Sequence, residues 1–153
     1  MEELYNLKQA VHTACAVQLR QRILQAQASM EEARLAGLSD TKSSAGDKHE
    51  TARAMAQQEL EKQASALQNL RSMEVVLVRI DPARRFSTIL PGALVATEQG
   101  LFYVAVALGK IEVEGRTVMA ISMQAPILTT LSTLAIGGTG MFNGRPQRLL
   151  AIV

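Results

Sequence analysis

The chain changes character at one dipeptide, Asp81-Pro82, and this change limits its possible folds more than any other feature of the sequence. All four prolines and most of the glycines lie at or beyond it, whereas the residues before it contain only Gly37 and Gly46. Valine, isoleucine and threonine are frequent beyond it. Because proline and glycine interrupt helices and mark turns, the shift predicts a helical first half and a strand-and-turn second half.

The first half carries apolar residues at helical spacing. They recur at steps of three or four from Leu4 to Ala33 and again from Ala52 to Ile80, with a break across 37–46. Each stripe predicts a long helix, and an antiparallel hairpin buries both stripes against each other. Since an α-helix rises 1.5 Å per residue, roughly thirty residues give an arm about 45–50 Å long. We therefore expect residues 1–81 to form an antiparallel coiled-coil hairpin, with its tip at about 37–47.

The second half, residues 82–153, predicts short strands joined by tight turns. Glu114-Gly115 and Asn143-Gly144 are two-residue hairpin signals. Pro126 suits the first turn of one short helix over 126–134. The strands are expected at 94–97, 101–108, 110–113, 116–121, 140–142 and 145–152. A small antiparallel sheet packed against one helix makes the chain an α+β protein.

Composition argues against several classes of function. Aromatic residues make up 3% of the chain and tryptophan is absent, which disfavours an aromatic-lined pocket or a base-stacking surface. A net charge of +2 is too small to indicate nucleic-acid binding. The single cysteine, Cys15, excludes an internal disulfide and a CxxC zinc site. With no apolar run near the length of a bilayer span, we expect a cytoplasmic protein without membrane contact.

Two further features, a cysteine–histidine pair and an arginine pair, have both a structural and a functional interpretation. Cys15 and His12 superficially form a nucleophile–base pair, but Cys15 lies on the apolar stripe and no third group orients the base. We therefore expect a core cysteine, and a histidine without a special role. Arg84-Arg85 at the junction either contact a partner or solvate a linker, and the second interpretation is favoured.

The stretch KSSAGDKHETARAMAQ, residues 42–57, places Asp47 and Glu50 three positions apart where the second helix begins. Asp47 or Ser44 suits the N-cap, and negative charge here stabilises the helix by about 0.3–1 kcal/mol. Two carboxylates at this spacing also lie on one side of a helical turn and can share a divalent cation. Such a pair is an incomplete Mg²⁺ site, which needs further ligands from a partner or a phosphate.

The tip and the order of elements resemble the bacterial transcript-cleavage factors of the Gre type. The tip motif is Gly46-Asp47-x-x-Glu50, followed by Ala52. "ILPGALVATEQG" resembles the start of that family's globular domain, and "ISMQAPILTTLSTLAIGGTGMFNG" is similar to its C-terminal stretch. The likeness covers essentially the whole chain in order. In the C-terminal stretch the matching residues are Ile121, Ser122, Pro126, Ile127, Gly137 and Gly138.

The resemblance implies a fold and a mechanism. An FKBP-like C-terminal domain would dock on RNA polymerase, and the hairpin would enter its secondary channel. Asp47 and Glu50 would be the catalytic acids that help hold a second Mg²⁺ for cleavage of backtracked RNA. The chain would then stimulate the polymerase's own reaction and would not be an enzyme by itself. It would contact RNA and DNA only indirectly, through the elongation complex, and would act as a monomer. Residues that would support the tip are Ser43, Ser44, Gly46, Lys48 and His49.

The tip also departs from the family pattern. Lys48 and His49 stand where the family has an apolar and a small polar residue, and Thr51 replaces the usual Asn. Lys48 partly cancels the negative charge that a metal needs, and His49 either positions water or is a simple exposed histidine. Two alternatives therefore stay open. One is a channel-binding regulator or inhibitor without cleavage stimulation, and the other is a coiled-coil adaptor unrelated to polymerase.

Overall fold

The computed structural model describes residues 1–43 and 47–153, with the side chains of 38–43, 47 and 49 outside the description. It is an α+β structure, as predicted. The helices and strands, in chain order, are α1 (Glu2–Ser43), α2 (Asp47–Val78), β1 (Leu94–Thr97), β2 (Gly100–Val104), β3 (Gly109–Val113), β4 (Arg116–Ile121), α3 (Ile127–Leu131), β5 (Thr139–Phe142) and β6 (Arg145–Ile152). They divide into two compact units, which are Met1–Gln18 with Met73–Val153, and Leu19–Ser72. The domain boundary at 81/82 stays a prediction.

The unit Leu19–Ser72 is a hairpin of two helices. Leu19 and Ile23 on α1 are buried, as their place in the apolar stripe predicts. α1 continues through the predicted break at Gly37 and ends at Ser43. A Cβ atom at Gly37 would lie 3.2 Å from the Cβ atom of Ala56 on α2. The two small residues therefore allow close approach of the helices, which offsets the cost of glycine in a helix, about 1 kcal/mol.

The six strands form one sheet in the order β3-β4-β2-β1-β6-β5. All neighbours are antiparallel except β2 and β4, which run parallel with Leu101 opposite Val118 and Val104 opposite Ile121. The prediction of an antiparallel sheet is therefore wrong for the pair β2 and β4, and the sheet is mixed. The hairpin β3–β4 folds so that β4 lies next to β2 and β3 becomes the edge strand.

Both faces of the sheet are covered within the unit Met1–Gln18 and Met73–Val153. Every residue of β1 is buried, and successive residues of a strand point to opposite faces. On one face, Val95 packs in an apolar cluster with residues of α3 and β6, including Leu128, Leu131, Leu149 and Ile152. On the other face, Tyr103, opposite Leu94 in the register, contacts His12 of α1. The beginning of α1 is therefore a layer of this unit.

The two predicted hairpin turns are confirmed by their backbone angles. Glu114 and Gly115 have φ values of 53° and 74°, and Asn143 and Gly144 have 49° and 74°. Positive φ at both central residues is the signature of the type I′ turn, which matches the twist of the flanking strands. β1, β4 and β6 have the predicted bounds, whereas β2 ends earlier, at Val104, and α3 is shorter than 126–134. No helix in the described part of the chain is long and apolar enough to cross a bilayer.

Candidate functional site

The predicted tip site lies where α2 begins, at Asp47. Glu50 follows three residues later in the first turn, and Lys48 and Glu50 are exposed side chains. An exposed carboxylate in the first turn interacts favourably with the positive end of the helix dipole, which stabilises α2 by about 0.3–1 kcal/mol. A carboxylate in the first turn of the helix is what both the capping interpretation and the metal interpretation require of Glu50.

Other members of the predicted site fall where the structure gives no side-chain position. Ser44 and Gly46 lie outside the described residues. Ser43 is the last residue of α1, and its side chain lies outside the description together with those of Asp47 and His49. The geometry between the Asp47 and Glu50 carboxylates therefore stays a prediction from their spacing.

Whether the chain can hold a metal ion depends on how many ligating side chains lie close together. Among the residues that the structure describes, no three His, Cys, Asp or Glu side chains lie close enough together to hold a metal ion. Mg²⁺ prefers six oxygen ligands in octahedral geometry and keeps several waters when a protein offers only one or two carboxylates. That Asp47 and Glu50 share a Mg²⁺ ion with a partner therefore stays a prediction from their spacing, because the side chain of Asp47 lies outside the described residues.

A second polar group, which the sequence did not predict, lies between α1 and the sheet. The Nδ1 atom of His12 lies 2.7 Å from the hydroxyl oxygen of Tyr103, and the two rings meet edge to face. Burial lowers the pKa of His12, with the nearby Asp81 carboxylate acting in the opposite direction. Burial also raises the pKa of the fully buried Tyr103 hydroxyl. His12 therefore joins α1 to β2, a role that its sequence position could not reveal because the partner is far along the chain.

Cys15 is not a nucleophile in this structure. Its side chain is fully buried, and burial raises the pKa of the thiol to about 11. At neutral pH the thiol stays protonated, whereas the thiolate is the reactive form. The Nδ1 atom of His12 is engaged by the Tyr103 hydroxyl and is therefore not free to act as a base toward the thiol. The predicted core cysteine is confirmed.

Lys8 is the one charged residue among the fully buried side chains that the structure describes. Its Nζ atom donates a hydrogen bond to the carbonyl oxygen of Arg84. It also lies 5.3 Å from the ring centroid of Tyr5 and 5.0 Å from that of Phe86. Burial lowers the pKa of Lys8, and the charge of Arg85 lowers it further. The sequence does not indicate that this lysine is buried, because the segment that covers it, around Arg84, lies far along the chain.

An open groove of about 530 Å³ lies beside the β1–β2 turn. Its apolar lining includes Leu4, Leu101 and Leu150. On its rim the guanidinium of Arg116 forms an ion pair with Glu3 at 3.0 Å. Arg116 and Glu3 therefore neutralise each other at this rim.

Comparisons with protein-family models, with curated proteins and with solved structures found no match for this chain. Its function must therefore be inferred from its own residues and their geometry.

Proposed function

We propose that the chain is a Gre-like transcription elongation factor that binds RNA polymerase in the bacterial cytoplasm. Its hairpin enters the secondary channel and stimulates cleavage of backtracked RNA through Asp47 and Glu50. The observation that carries the proposal is the order of elements: a two-helix hairpin whose second helix begins at Asp47, followed by a six-stranded sheet with one short helix. In the proposed assignment, the hairpin is a coiled coil and the sheet unit is an FKBP-like docking domain.

The dimensions of the hairpin support the proposal. The part of α1 from Leu19 to Ser43 is about 37 Å long at 1.5 Å per residue, and the part of α2 from Asp47 to Ser72 is of similar length. A narrow pair of helices buries little surface relative to its length, so stability alone is a poor reason for building one. A need to reach a distant site explains the shape better.

The chemistry assigned to the tip is metal-assisted hydrolysis with a shared ion. When bound, Mg²⁺ would polarise the scissile phosphate and lower the pKa of an attacking water. Asp47 and Glu50 would supply carboxylate oxygens from one side of the first turn of α2, and the polymerase would supply the remaining ligands. Since the chain offers only part of the site, it stimulates cleavage by the polymerase and does not cut RNA alone.

One observation favours a second candidate function, a channel-binding regulator that does not promote cleavage. Lys48 is exposed in the same turn as Glu50, and its ammonium reduces the negative potential available to a metal. A hairpin with a weakened metal site would still occupy the channel. The two candidates share the binding step and differ only in the chemistry of the tip.

The experiment that tests the proposal is RNA cleavage in a backtracked elongation complex with Mg²⁺ present. We expect the chain to accelerate shortening of the RNA 3′ end, and the double variant Asp47→Ala/Glu50→Ala to lose this acceleration while still binding polymerase. The matched control is Glu59→Ala/Glu61→Ala, which removes the same charge from exposed positions farther along α2.

The outcomes separate the candidates. If the intact chain binds but does not accelerate cleavage, the regulator is correct and the acids are helix caps. If the chain does not bind polymerase at all, both candidates fail and the coiled-coil adaptor remains.

A further inference from the structure

The segment Asp81–Phe86, which we call the strap, follows α2 and lies against the beginning of α1. The hydroxyl of Tyr5 donates a hydrogen bond to the carbonyl oxygen of Ala83 at 2.9 Å. Lys8 donates one to the carbonyl oxygen of Arg84, and Arg85 forms an ion pair with Glu2 at 2.8 Å. Three successive strap residues therefore each contact a residue in the first turns of α1.

The strap and α1 also share an alternating stack of cations and aromatic rings. The guanidinium of Arg85 lies 3.9 Å from the centroid of the Tyr5 ring. Lys8 follows between the rings of Tyr5 and Phe86, and the guanidinium of Arg84 lies 5.1 Å from the Phe86 ring. Cations over aromatic faces attract the ring quadrupole, more strongly when they are removed from water, as Lys8 is. The stack therefore joins α1 to the strap through side chains of both, in the order Arg85, Tyr5, Lys8, Phe86 and Arg84.

The strap is also joined to the sheet. A Cβ atom at Gly92 would lie 3.2 Å from the Phe86 ring and 3.0 Å from Ile80. The amide of the same glycine donates a hydrogen bond of 2.7 Å to the carbonyl oxygen of Val104 at the end of β2. Phe86 thus packs directly on backbone that is hydrogen-bonded into the sheet.

Packing alone does not account for a lysine at position 8. A methionine would fill a similar volume without removing an ammonium from water, and burying a charge is unfavourable unless the charge is well paired. What only the lysine supplies is a donor for the Arg84 carbonyl and a cation between two rings. We propose that the strap is a structural clasp, closed by Lys8, that holds the beginning of α1 and the segment after α2 against the sheet.

This inference does not depend on the proposed function, because every contact lies within the unit Met1–Gln18 and Met73–Val153. It predicts a local opening of the strap when Lys8 loses its ammonium. Two backbone amides of the strap should exchange their hydrogens faster when it opens, because each is hydrogen-bonded within the strap. The Arg84 amide donates to the Asp81 carbonyl, and the Ala83 amide donates to the Asp81 side chain.

The test is backbone hydrogen exchange in the full chain, without polymerase, for the native sequence, Lys8→Met and the matched control Lys62→Met at an exposed position of α2. We expect exchange of the Ala83 and Arg84 amides to rise at least tenfold in Lys8→Met only. The amides of β1 and β2 should keep their protection, because the clasp opens without unfolding the sheet.

Two results would overturn the proposal. The first is strap exchange within twofold of the native rate in a folded Lys8→Met protein. The second is a rise shared equally by β1 and β2, since that indicates general destabilisation. If Lys8→Met does not fold, Tyr5→Phe decides, because it removes only the hydroxyl that bonds Ala83. A severalfold rise confined to the Ala83 and Arg84 amides then supports the clasp, and an unchanged rate refutes it.

Discussion

Replacing Cys15 with alanine should change how the stability of the protein depends on pH in the alkaline range. The thiol is fully buried in α1, and its pKa is raised from 9.0 to about 11. Because the folded protein keeps the thiol proton more tightly than the unfolded chain, the neutral thiol contributes stability below pH 9.0. That contribution falls as the pH rises from 9.0 through 11.

The size of the effect follows from the shift. One pKa unit corresponds to 1.36 kcal/mol, so the shift from 9.0 to about 11 is worth roughly 3 kcal/mol in total. About half of this contribution should be lost by pH 10, and most of it by pH 11. The alanine variant lacks the titrating group and should show none of this loss.

The assay is urea unfolding of both proteins from about pH 7 to pH 11, with a reducing agent present. The quantity of interest is the difference between their unfolding free energies at each pH. The smaller alanine side chain adds an offset to this difference that does not depend on pH. Titration of the thiol, in contrast, makes the difference change with pH. All other groups are common to both proteins, so their titration largely cancels.

A difference that stays flat across the whole range would refute the reasoning. It would mean that the thiol ionises as easily in the folded protein as in the unfolded chain. The beginning of α1 would then not be packed against the sheet as the structure shows.

Two further predictions concern the same unit. In Gly140→Ala, the new Cβ atom would lie 2.7 Å from the Cγ2 atom of Thr130, so α3 must shift on β5. The free energy of unfolding, measured with urea, should fall by about 1–3 kcal/mol. An unchanged unfolding midpoint would contradict this contact. Because the pKa of His12 is lowered, it contributes stability above pH 6.5 that is lost as the pH falls through its folded pKa. His12→Gln should therefore reduce the fall in melting temperature on acidification, and an NMR titration giving His12 a pKa at or above 6.5 would exclude this explanation.

The local features of the fold could be predicted from the sequence because each is set by a few adjacent residues. Asn143-Gly144 and Glu114-Gly115 determine their own turns, since positive φ is needed at both positions. Pro126 precedes α3, and Asp47 begins α2. These elements depend on short-range backbone preferences that the chain carries within each segment.

The remaining features depend on contacts between distant segments. The parallel pairing of β2 with β4 is decided by how the β3–β4 hairpin folds back, which no turn signal encodes. Lys8 looks like a solvent-exposed helix residue until the strap covers it. At the tip, the spacing of Asp47 and Glu50 is compatible with helix capping as well as with a shared metal, because both need a carboxylate in the first turn.

The central claim is that the hairpin carries its acids to the polymerase active site, and a crosslink from the tip tests it most directly. A photoreactive amino acid would replace exposed Lys48, and the chain would be irradiated in a backtracked elongation complex. The same probe at exposed Lys62 provides the control. The account predicts that position 48 crosslinks to the RNA 3′ segment or to polymerase residues at the active site, and that position 62 does not. Binding of the chain to polymerase with no such crosslink from position 48 would contradict it.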